Sequence, residues 1–177
     1  MKHIFYHLTA VMVVVVWGMT FISTKVLIVH GLSPPEIFLF RFLLAYVAVC
    51  PISSHSFFAR NLKDELCLAG GGVLGGSLFF FLQNMALGLT QASNVSFIIC
   101  TAPLLTAVLT VLSVRTEKVS RGFIYGSIVA LLGVGLLIFN GSFILRISPL
   151  GDLLTLLASL SWALYSLVIR SLTRKYS

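Results

Sequence analysis

The 177-residue sequence contains few charged side chains and long stretches with none. Charged residues make up 10% of the chain, against about 25% in a typical soluble domain, while hydrophobic residues make up 58%. A water-soluble core of this composition would have no polar shell around it. The composition therefore excludes an ordinary soluble globular domain.

Acidic residues are rarer than basic ones, with five Asp and Glu against twelve Lys and Arg. Glu36 and Asp152 lie near the ends of apolar runs, and no acid lies deep within one. Proton coupling through a carboxylate buried in the membrane is therefore unsupported in this part of the protein. The basic residues lie in short segments and not on an extended face with aromatics, so the formal net charge of +7 does not indicate nucleic-acid binding.

The residues of common catalytic and metal sites are also absent or scattered. Cys50, Cys67 and Cys100 form no CxxC pair and no metal-ligand spacing, which is typical of small packing residues. His3 and His7 are four residues apart but lack a third ligand. There is no Walker loop, HExxH motif or Ser/His/Asp set. We therefore expect no enzyme, no cofactor and no metal site.

Six long apolar runs occupy most of the sequence. A bilayer core about 30 Å thick needs about 20 helical residues to cross it, and each run is about that long. The runs show no alternation of apolar and polar residues, which excludes barrel strands. The first run is longer than the roughly 7–15 residues of a signal-peptide core, so it is interpreted as a retained helix. The sequence predicts an all-α integral membrane protein with six transmembrane helices, at Tyr6–Val29, Pro35–Ser53, Cys67–Leu89, Ala92–Val114, Gly122–Asn140 and Leu150–Leu172.

The basic residues alternate between the two sides of this arrangement. Lys25 and Arg146 fall on one side and Arg41 lies inside the second run. Because cytoplasmic loops are enriched in Lys and Arg, the count predicts a multi-pass protein of the inner or plasma membrane with both termini in the cytoplasm. The cytoplasmic side would carry nine basic residues: Lys2, Arg60, Lys63, Arg115, Lys118, Arg121, Arg170, Arg174 and Lys175.

The first and sixth runs share a pattern. Trp17 is followed eight residues later by Lys25, and Trp162 is followed eight residues later by Arg170. The two runs would enter the membrane from opposite sides, as in an inverted repeat. Tryptophan and basic residues both favour the membrane interface, so chance is the alternative explanation.

The order and spacing of several short motifs resemble the EamA-type transporters of the drug/metabolite transporter superfamily. These motifs are Trp17-Gly18-Met19-Thr20-Phe21 with Lys25, Gly31-Leu32-Ser33-Pro34 before Arg41-Phe42, Ala86-Leu87-Gly88-Leu89, Pro103-Leu104, Glu117-Lys118-Val119, Gly151-Asp152 and Ser161-Trp162-Ala163-Leu164-Tyr165.

The resemblance implies a membrane transporter, an exporter of small organic metabolites or drugs that works by alternating access. Members of this family typically carry ten helices in two inverted five-helix repeats. Residues 5–141 would then form the first repeat, and residues 148–177 would begin the second. The expected partners are the lipid bilayer, a small-molecule solute, and a second copy or the four missing helices. A non-transporting membrane fragment or interaction module is the alternative.

Polar residues within the runs are the candidates for a substrate pathway. Arg41 lies about seven residues into its run, roughly 10 Å from the outer end. It would contact an anion, or else snorkel or bond to neighbouring carbonyls. Stripes of polar residues would either line a cavity or hydrogen-bond helices together. These stripes comprise Trp17, Thr20, Ser77, Asn84, Asn94, Thr101, Ser159 and Trp162.

Proline and glycine mark expected irregularities and contacts. Pro103 lies mid-membrane in the fourth run, so we expect a bend there and consider it a candidate gating hinge. Glycines at GxxxG-like spacing favour close packing of helices. They are Gly71, Gly72, Gly75 and Gly76 in the third run, and Gly126 and Gly133 in the fifth.

Overall fold

The structure is a computed structural model that describes residues 2–52, 61–113, 120–138 and 148–176. Helices and short connections account for all of these residues, with no strand among them, as the sequence predicts. The elements are α1 Lys2–Val29, α2 Pro34–Val49, α3 Leu62–Gly71, a π-helical segment Gly72–Leu78, α4 Phe79–Leu89, α5 Ala92–Ile99, α6 Ala102–Ser113, α7 Arg121–Ile138 and α8 Pro149–Tyr176. The predicted junction between two repeats, and the cations Arg60, Arg115, Lys118 and Arg146, lie outside the described residues.

Four segments of the described chain are long and apolar enough to cross a bilayer. They are Ile4–Val29, Leu62–Leu89, Ala92–Ser113 and Pro149–Arg170. Helix α2 has 16 residues, and the apolar part of α7 is the shorter segment Arg121–Gly133. Four of the six predicted spans are therefore present by length and composition, while the full set of six and its division into repeats stay a prediction.

Large apolar side chains cover the outer surface of α1. The side chains from Val11 to Val16 are 53–69% exposed. In water a contiguous apolar patch of this kind would be unusual for a monomer, whereas in hydrocarbon it carries no such cost. Such a surface is suited to contact with lipid.

The turn between α1 and α2 depends on a glycine. Gly31 has a φ of 98°, a conformation that only glycine adopts readily. The Gly31 amide donates to the Ile28 carbonyl at 3.1 Å, and the Leu32 amide donates to the Leu27 carbonyl at 3.1 Å. This is the Schellman pattern, which satisfies the last carbonyls of α1 and reverses the chain.

Helix α2 begins directly after this turn because its first residues are favourable at a helix N-terminus. The backbone amide and the hydroxyl of Ser33 both donate to Glu36 Oε2, at 2.8 and 2.7 Å. Pro34 follows in the first helical position, where its missing N–H costs nothing.

The fourth span is interrupted near its middle. Helix α5 ends at Ile99 and α6 begins at Ala102, with Pro103 as its second residue. Proline has no N–H to give to the carbonyl four residues earlier, and its ring crowds that carbonyl. The break therefore falls where the sequence predicts a bend, while motion at this point stays a prediction.

Helix α8 occupies the centre of the described bundle. It packs against α3, the π segment, α4, α5 and α6. Small residues bring it close to its neighbours: Ala158, Ser159 and Ala163 are fully buried. The apolar core lies where α4, α5 and α8 meet, around Phe79 and Leu87.

Helices α1 and α8 run in opposite directions. The rings of Trp17 and Trp162 are 5.5 Å apart at their centroids. Further along α1, Lys25 reaches Thr90 at the end of α4, and the same Thr90 contacts the position of Gly151 in the first turn of α8. The two Trp-to-basic patterns therefore point to opposite ends of the bundle, which agrees with an inverted relation without testing the repeat itself.

Candidate functional site

A cluster of aromatic rings lies at the crossing of α1, α4 and α8. Trp162 contacts Trp17 at 5.5 Å, Phe79 at 4.8 Å and Tyr165 at 5.2 Å between ring centroids. Trp17 in turn lies 6.4 Å from Phe79. Tilted aromatic pairs at these separations are favourable, so the cluster fixes the position of both indoles.

Two cavities border this cluster. The first, here named the apolar cavity, measures about 420 Å³ and lies among α1, α5, α6, α7 and α8. The second, here named the hydroxyl-lined cavity, measures about 580 Å³ and is lined by Thr106 and Thr110 of α6 and by Ser166 and Arg170 of α8, among others.

The two cavities share Pro103 and Trp162 as lining residues. One residue marks the break in the fourth span, and the other belongs to the aromatic cluster. The sequence identified both as candidates, and the structure brings them together at the boundary between the cavities. Trp17 lines the apolar cavity as well.

Two other predicted residues bond to the Ile98 carbonyl beside the break, and one of them, Ser159, lies on α8. Thr101 Oγ1 donates to the Ile98 carbonyl at 2.6 Å, and Ser159 Oγ donates to the same carbonyl at 3.3 Å. The same carbonyl also accepts the backbone amide of Thr101 at 3.0 Å, so three donors meet on one acceptor at the break. Thr101 and Ser159 line neither cavity described above, and they hold the break in place.

Thr20 and Asn94 also bond within the protein. Thr20 Oγ1 donates to the Trp17 carbonyl at 2.6 Å, one turn earlier in α1. Asn94 is buried, and its Nδ2 donates to Thr90 Oγ1 at a long 3.4 Å. Neither residue lines either cavity, and a role of Thr20 and Asn94 in a substrate pathway stays a prediction.

Arg41 is directed toward neighbouring helices. Its Nη2 donates to Thr24 Oγ1 at 2.8 Å, and Thr24 is fully buried on α1. The guanidinium carbon lies 5.8 Å from the centroid of the Phe80 ring on α4, within range of a cation–π interaction. Arg41 lines neither cavity and links α2 to α1 and α4, so the observed contacts favour anchoring over an anion contact.

Lys25 has a role that the sequence analysis missed. Its Nζ donates to the Leu87 carbonyl at 2.6 Å and to the Thr90 carbonyl at 2.8 Å. These carbonyls belong to the last turn of α4, where no helical donor is available. The sequence contained one signal for this role. Lys25 lies eight residues, about two turns, after Trp17 and so lies near the face of α1 that Trp17 presents to the other helices.

Two adjacent carboxamides on α4 are fully buried without partners. Neither polar atom of Gln83 or of Asn84 has a hydrogen-bond partner among the described residues, although both side chains are 0% exposed. A buried polar group that is left unpaired costs about 1–3 kcal/mol. Asn84 was a sequence candidate, whereas Gln83 was not selected.

Ser77 does not share the environment of Asn84, although the two are seven residues apart. Ser77 is exposed and Asn84 is buried. The sequence argument assumed a regular α-helix between them, but Ser77 lies in the π segment Gly72–Leu78. Because the π segment ends at Leu78, it alters the helical phase only at the start of the interval between these two residues.

The predicted packing glycines divide into two groups. A Cβ on Gly75 would lie 2.5 Å from Tyr165 Cγ, and one on Gly71 would lie 3.1 Å from Ile169 Cδ1. Helix α8 therefore packs closely against both glycines. Gly76 faces Phe42 at 3.8 Å. Gly72, Gly126 and Gly133 have no atom of the described chain within 4 Å of such a Cβ, so packing at these three stays a prediction.

The four apolar spans and the exposed apolar surface of α1 are those of a multi-pass helical membrane protein. A family model matches residues 4–139, which is most of the chain, and its description is the EamA-like transporter family. The chain therefore belongs to the EamA-like transporter family, whose members are transporters and not enzymes. Helix α8 lies beyond the matched residues. No curated protein and no solved structure matches this chain.

Proposed function

We propose that this protein exports small organic solutes across the inner or plasma membrane by alternating access. The observation that carries the proposal is the meeting of two cavities at Pro103 and Trp162, midway along the span Ala92–Ser113 and along α8. Membership of a transporter family supports it. In such carriers an internal site is exposed to one side of the membrane and then to the other.

Pro103 would act as the hinge between the two cavities. Only Cys100 and Thr101 separate α5 from α6, and one carbonyl, that of Ile98, accepts the side-chain bonds of Thr101 and Ser159 at the break. Lengthening of the 3.3 Å bond from Ser159 would release the end of α5 from α8 and so allow the angle between α5 and α6 to change. This change of angle would open one cavity as it narrows the other, with Trp162 between them.

The pathway would be completed by helices of a second copy or of further chain. Pro103 and Cys100 line the apolar cavity but are exposed in the described bundle. Exposed positions beside an internal cavity leave surface for additional packing. The bilayer and a small solute are the other partners.

The test is solute flux in proteoliposomes that contain the purified protein. A panel of radiolabelled amino acids, nucleosides and drug-like compounds would be screened first. We then expect Trp162→Ala to reduce the flux of an accepted solute at least tenfold, because it removes the ring that both cavities share. Tyr125→Ala is the matched control, since Tyr125 is 68% exposed on α7 and lines neither cavity.

A second variant addresses the hinge. Pro103→Ala would restore a backbone donor and favour a continuous helix, so we expect a severalfold slower flux with unchanged or higher thermal stability. Flux at the wild-type rate in both Trp162→Ala and Pro103→Ala would contradict the proposal, as would the absence of flux for every solute in the panel.

A further inference from the structure

The apolar cavity has a lining without charge. Among the described residues that form it, none is acidic or basic, and Ser96 supplies the one hydroxyl group. The remaining surface comes from aliphatic and aromatic side chains, with the Cys100 thiol as a small polarisable group. Transfer of a charged group into such surroundings without a partner is very unfavourable, so this lining selects against ionised molecules.

One hydrogen-bond donor in this lining lacks an acceptor. The Nε1–H of Trp17 is buried and has no partner among the described residues. The hydroxyl of Ser96 already donates to the Ala92 carbonyl at 2.7 Å. Because this indole nitrogen is not accessible from the cavity and the Ser96 hydroxyl is already bonded, the lining offers an occupant mainly apolar contacts.

The size of the cavity suits an organic molecule. Its volume of about 420 Å³ falls within the range of about 300–1,000 Å³ found for small-molecule sites. Trp17 and Trp162, which lie 5.5 Å apart, provide flat walls on which a ring system can pack.

The cavity borders the exposed surface between α1 and α7. Val14 and Gly18 on α1 and Ala130 on α7 line it, and all three are exposed. Val14 and Gly18 lie in the middle of the span Ile4–Val29, at the level of the hydrocarbon. A molecule dissolved in the bilayer could reach this opening without first returning to water.

From these observations we infer that the apolar cavity binds an uncharged, lipid-soluble molecule with a ring system, which arrives sideways from the bilayer between α1 and α7. The identification of this molecule as cargo rests on the proposed function, whereas its binding does not. The inference narrows the cargo class from small organic solutes in general to neutral lipid-soluble ones.

Intrinsic fluorescence provides a direct test, because the only two tryptophans of the chain both line this cavity. The probe is Prodan, an uncharged naphthyl ketone that accepts energy from tryptophan. Its charged counterpart is 6-dimethylamino-2-naphthoate, in which a carboxylate replaces the ketone. In lipid nanodiscs we expect saturable energy transfer to Prodan and at least tenfold weaker saturable transfer to the naphthoate.

Matched variants locate the binding. Gly18→Leu places a side chain in the opening, and Gly126→Leu makes the same change at another exposed helical glycine that lines neither cavity; neither new Cβ would meet an atom of the described chain within 4 Å. We expect Gly18→Leu to lower Prodan affinity at least tenfold and Gly126→Leu to leave it unchanged. Trp17→Phe shortens one wall of the cavity but keeps an aromatic ring, and we expect severalfold weaker binding, read from the remaining Trp162.

The route is tested separately with Cys100 as a reporter, in a Cys50→Ser, Cys67→Ser background. We expect Cys100 to react with the lipid-soluble reagent N-phenylmaleimide, to be protected by Prodan, and to resist a charged methanethiosulfonate. Reaction with the charged reagent without protection by Prodan would overturn access from the bilayer.

Three results would overturn the binding inference: no saturable transfer in the wild-type protein, equal binding of the naphthoate, or unchanged affinity in both Gly18→Leu and Trp17→Phe. Failure of the proposed function has a different signature. Prodan would then bind as expected, but no solute would cross the membrane in the flux assay.

Discussion

The Lys25 side chain joins α1 to the end of α4, and the end of α4 in turn contacts the start of α8. Its ammonium group donates to two carbonyls in the last turn of α4, at Leu87 and Thr90. Thr90 also contacts the position of Gly151 at the start of α8 and accepts a bond from Asn94. The charge is therefore held at the end of α4 by atoms that would otherwise lack donors.

We predict that Lys25→Met lowers the free energy of unfolding by about 2 kcal/mol, because two charge-assisted hydrogen bonds are lost and two carbonyls are left unpaired. The measurement is chemical denaturation of the protein in detergent micelles. Lys63→Met is the control, since Lys63 is exposed in the first turn of α3. Equal effects of the two substitutions would show that the contacts of Lys25 contribute nothing specific.

The buried carboxamides of α4 present the opposite situation, since they have no partners among the described residues. We predict that Gln83→Met raises the unfolding free energy by about 1–3 kcal/mol, because it removes unpaired polar atoms and keeps the shape of the side chain. Asn84→Leu should act in the same direction and, if Asn84 serves the pathway, lower solute flux as well.

Thermal unfolding followed by circular dichroism measures this change. Gln91→Met provides the comparison at an exposed glutamine just before α5, where we expect no gain. A loss of stability in Gln83→Met would indicate that its carboxamide has partners in the membrane, such as bound water.

At the scale of elements, the contact between the π segment and α8 depends on the absence of a side chain. Gly75 receives the ring of Tyr165, and the Ser161 hydroxyl donates to the Leu74 carbonyl at 2.8 Å nearby. The amide of Phe79 donates to the same carbonyl, five residues along the chain, which is the π pattern. Close approach of α8 and the irregular winding therefore occur at the same place.

We predict that Gly75→Ala destabilises the protein by about 1–3 kcal/mol, because a Cβ at 2.5 Å from Tyr165 Cγ forces the ring or the helix to move. Gly72→Ala, three residues earlier in the same segment, has open space and should be close to neutral. Denaturation midpoints of the two variants in micelles give the comparison. A neutral Gly75→Ala would mean that α8 packs less closely than the structure shows.

At the scale of the whole molecule, the ends of α1, α4 and α8 meet around Lys25, Thr90 and Gly151. The alternation of basic residues in the sequence predicts that this end lies outside the cell. We predict that a reporter fused after Gly31 is exposed outside, while one fused after Ser177 is cytoplasmic. Alkaline phosphatase and green fluorescent protein activities measure the two sides. A cytoplasmic signal at Gly31 would invalidate the proposed orientation.

The sequence by itself determined the class of protein and the position of its main segments. Hydrocarbon offers no partner to backbone amides, so long apolar runs must fold as helices wherever they pack. For a similarly local reason the break at Pro103 could be predicted from sequence, since proline acts on its own backbone. The aromatic and proline residues that meet between the cavities were also identifiable as candidates.

Only the tertiary structure decided which polar residues share a surface. The π segment changed the phase between Ser77 and Asn84, and α8 closed over Gly75 but not over Gly72. The side chains of Arg41 and Lys25 donate hydrogen bonds to acceptors outside their own helices, 17 to 65 residues away along the chain. Such contacts depend on the relative rotation of helices, which many weak packing interactions fix together and no single stretch of sequence specifies.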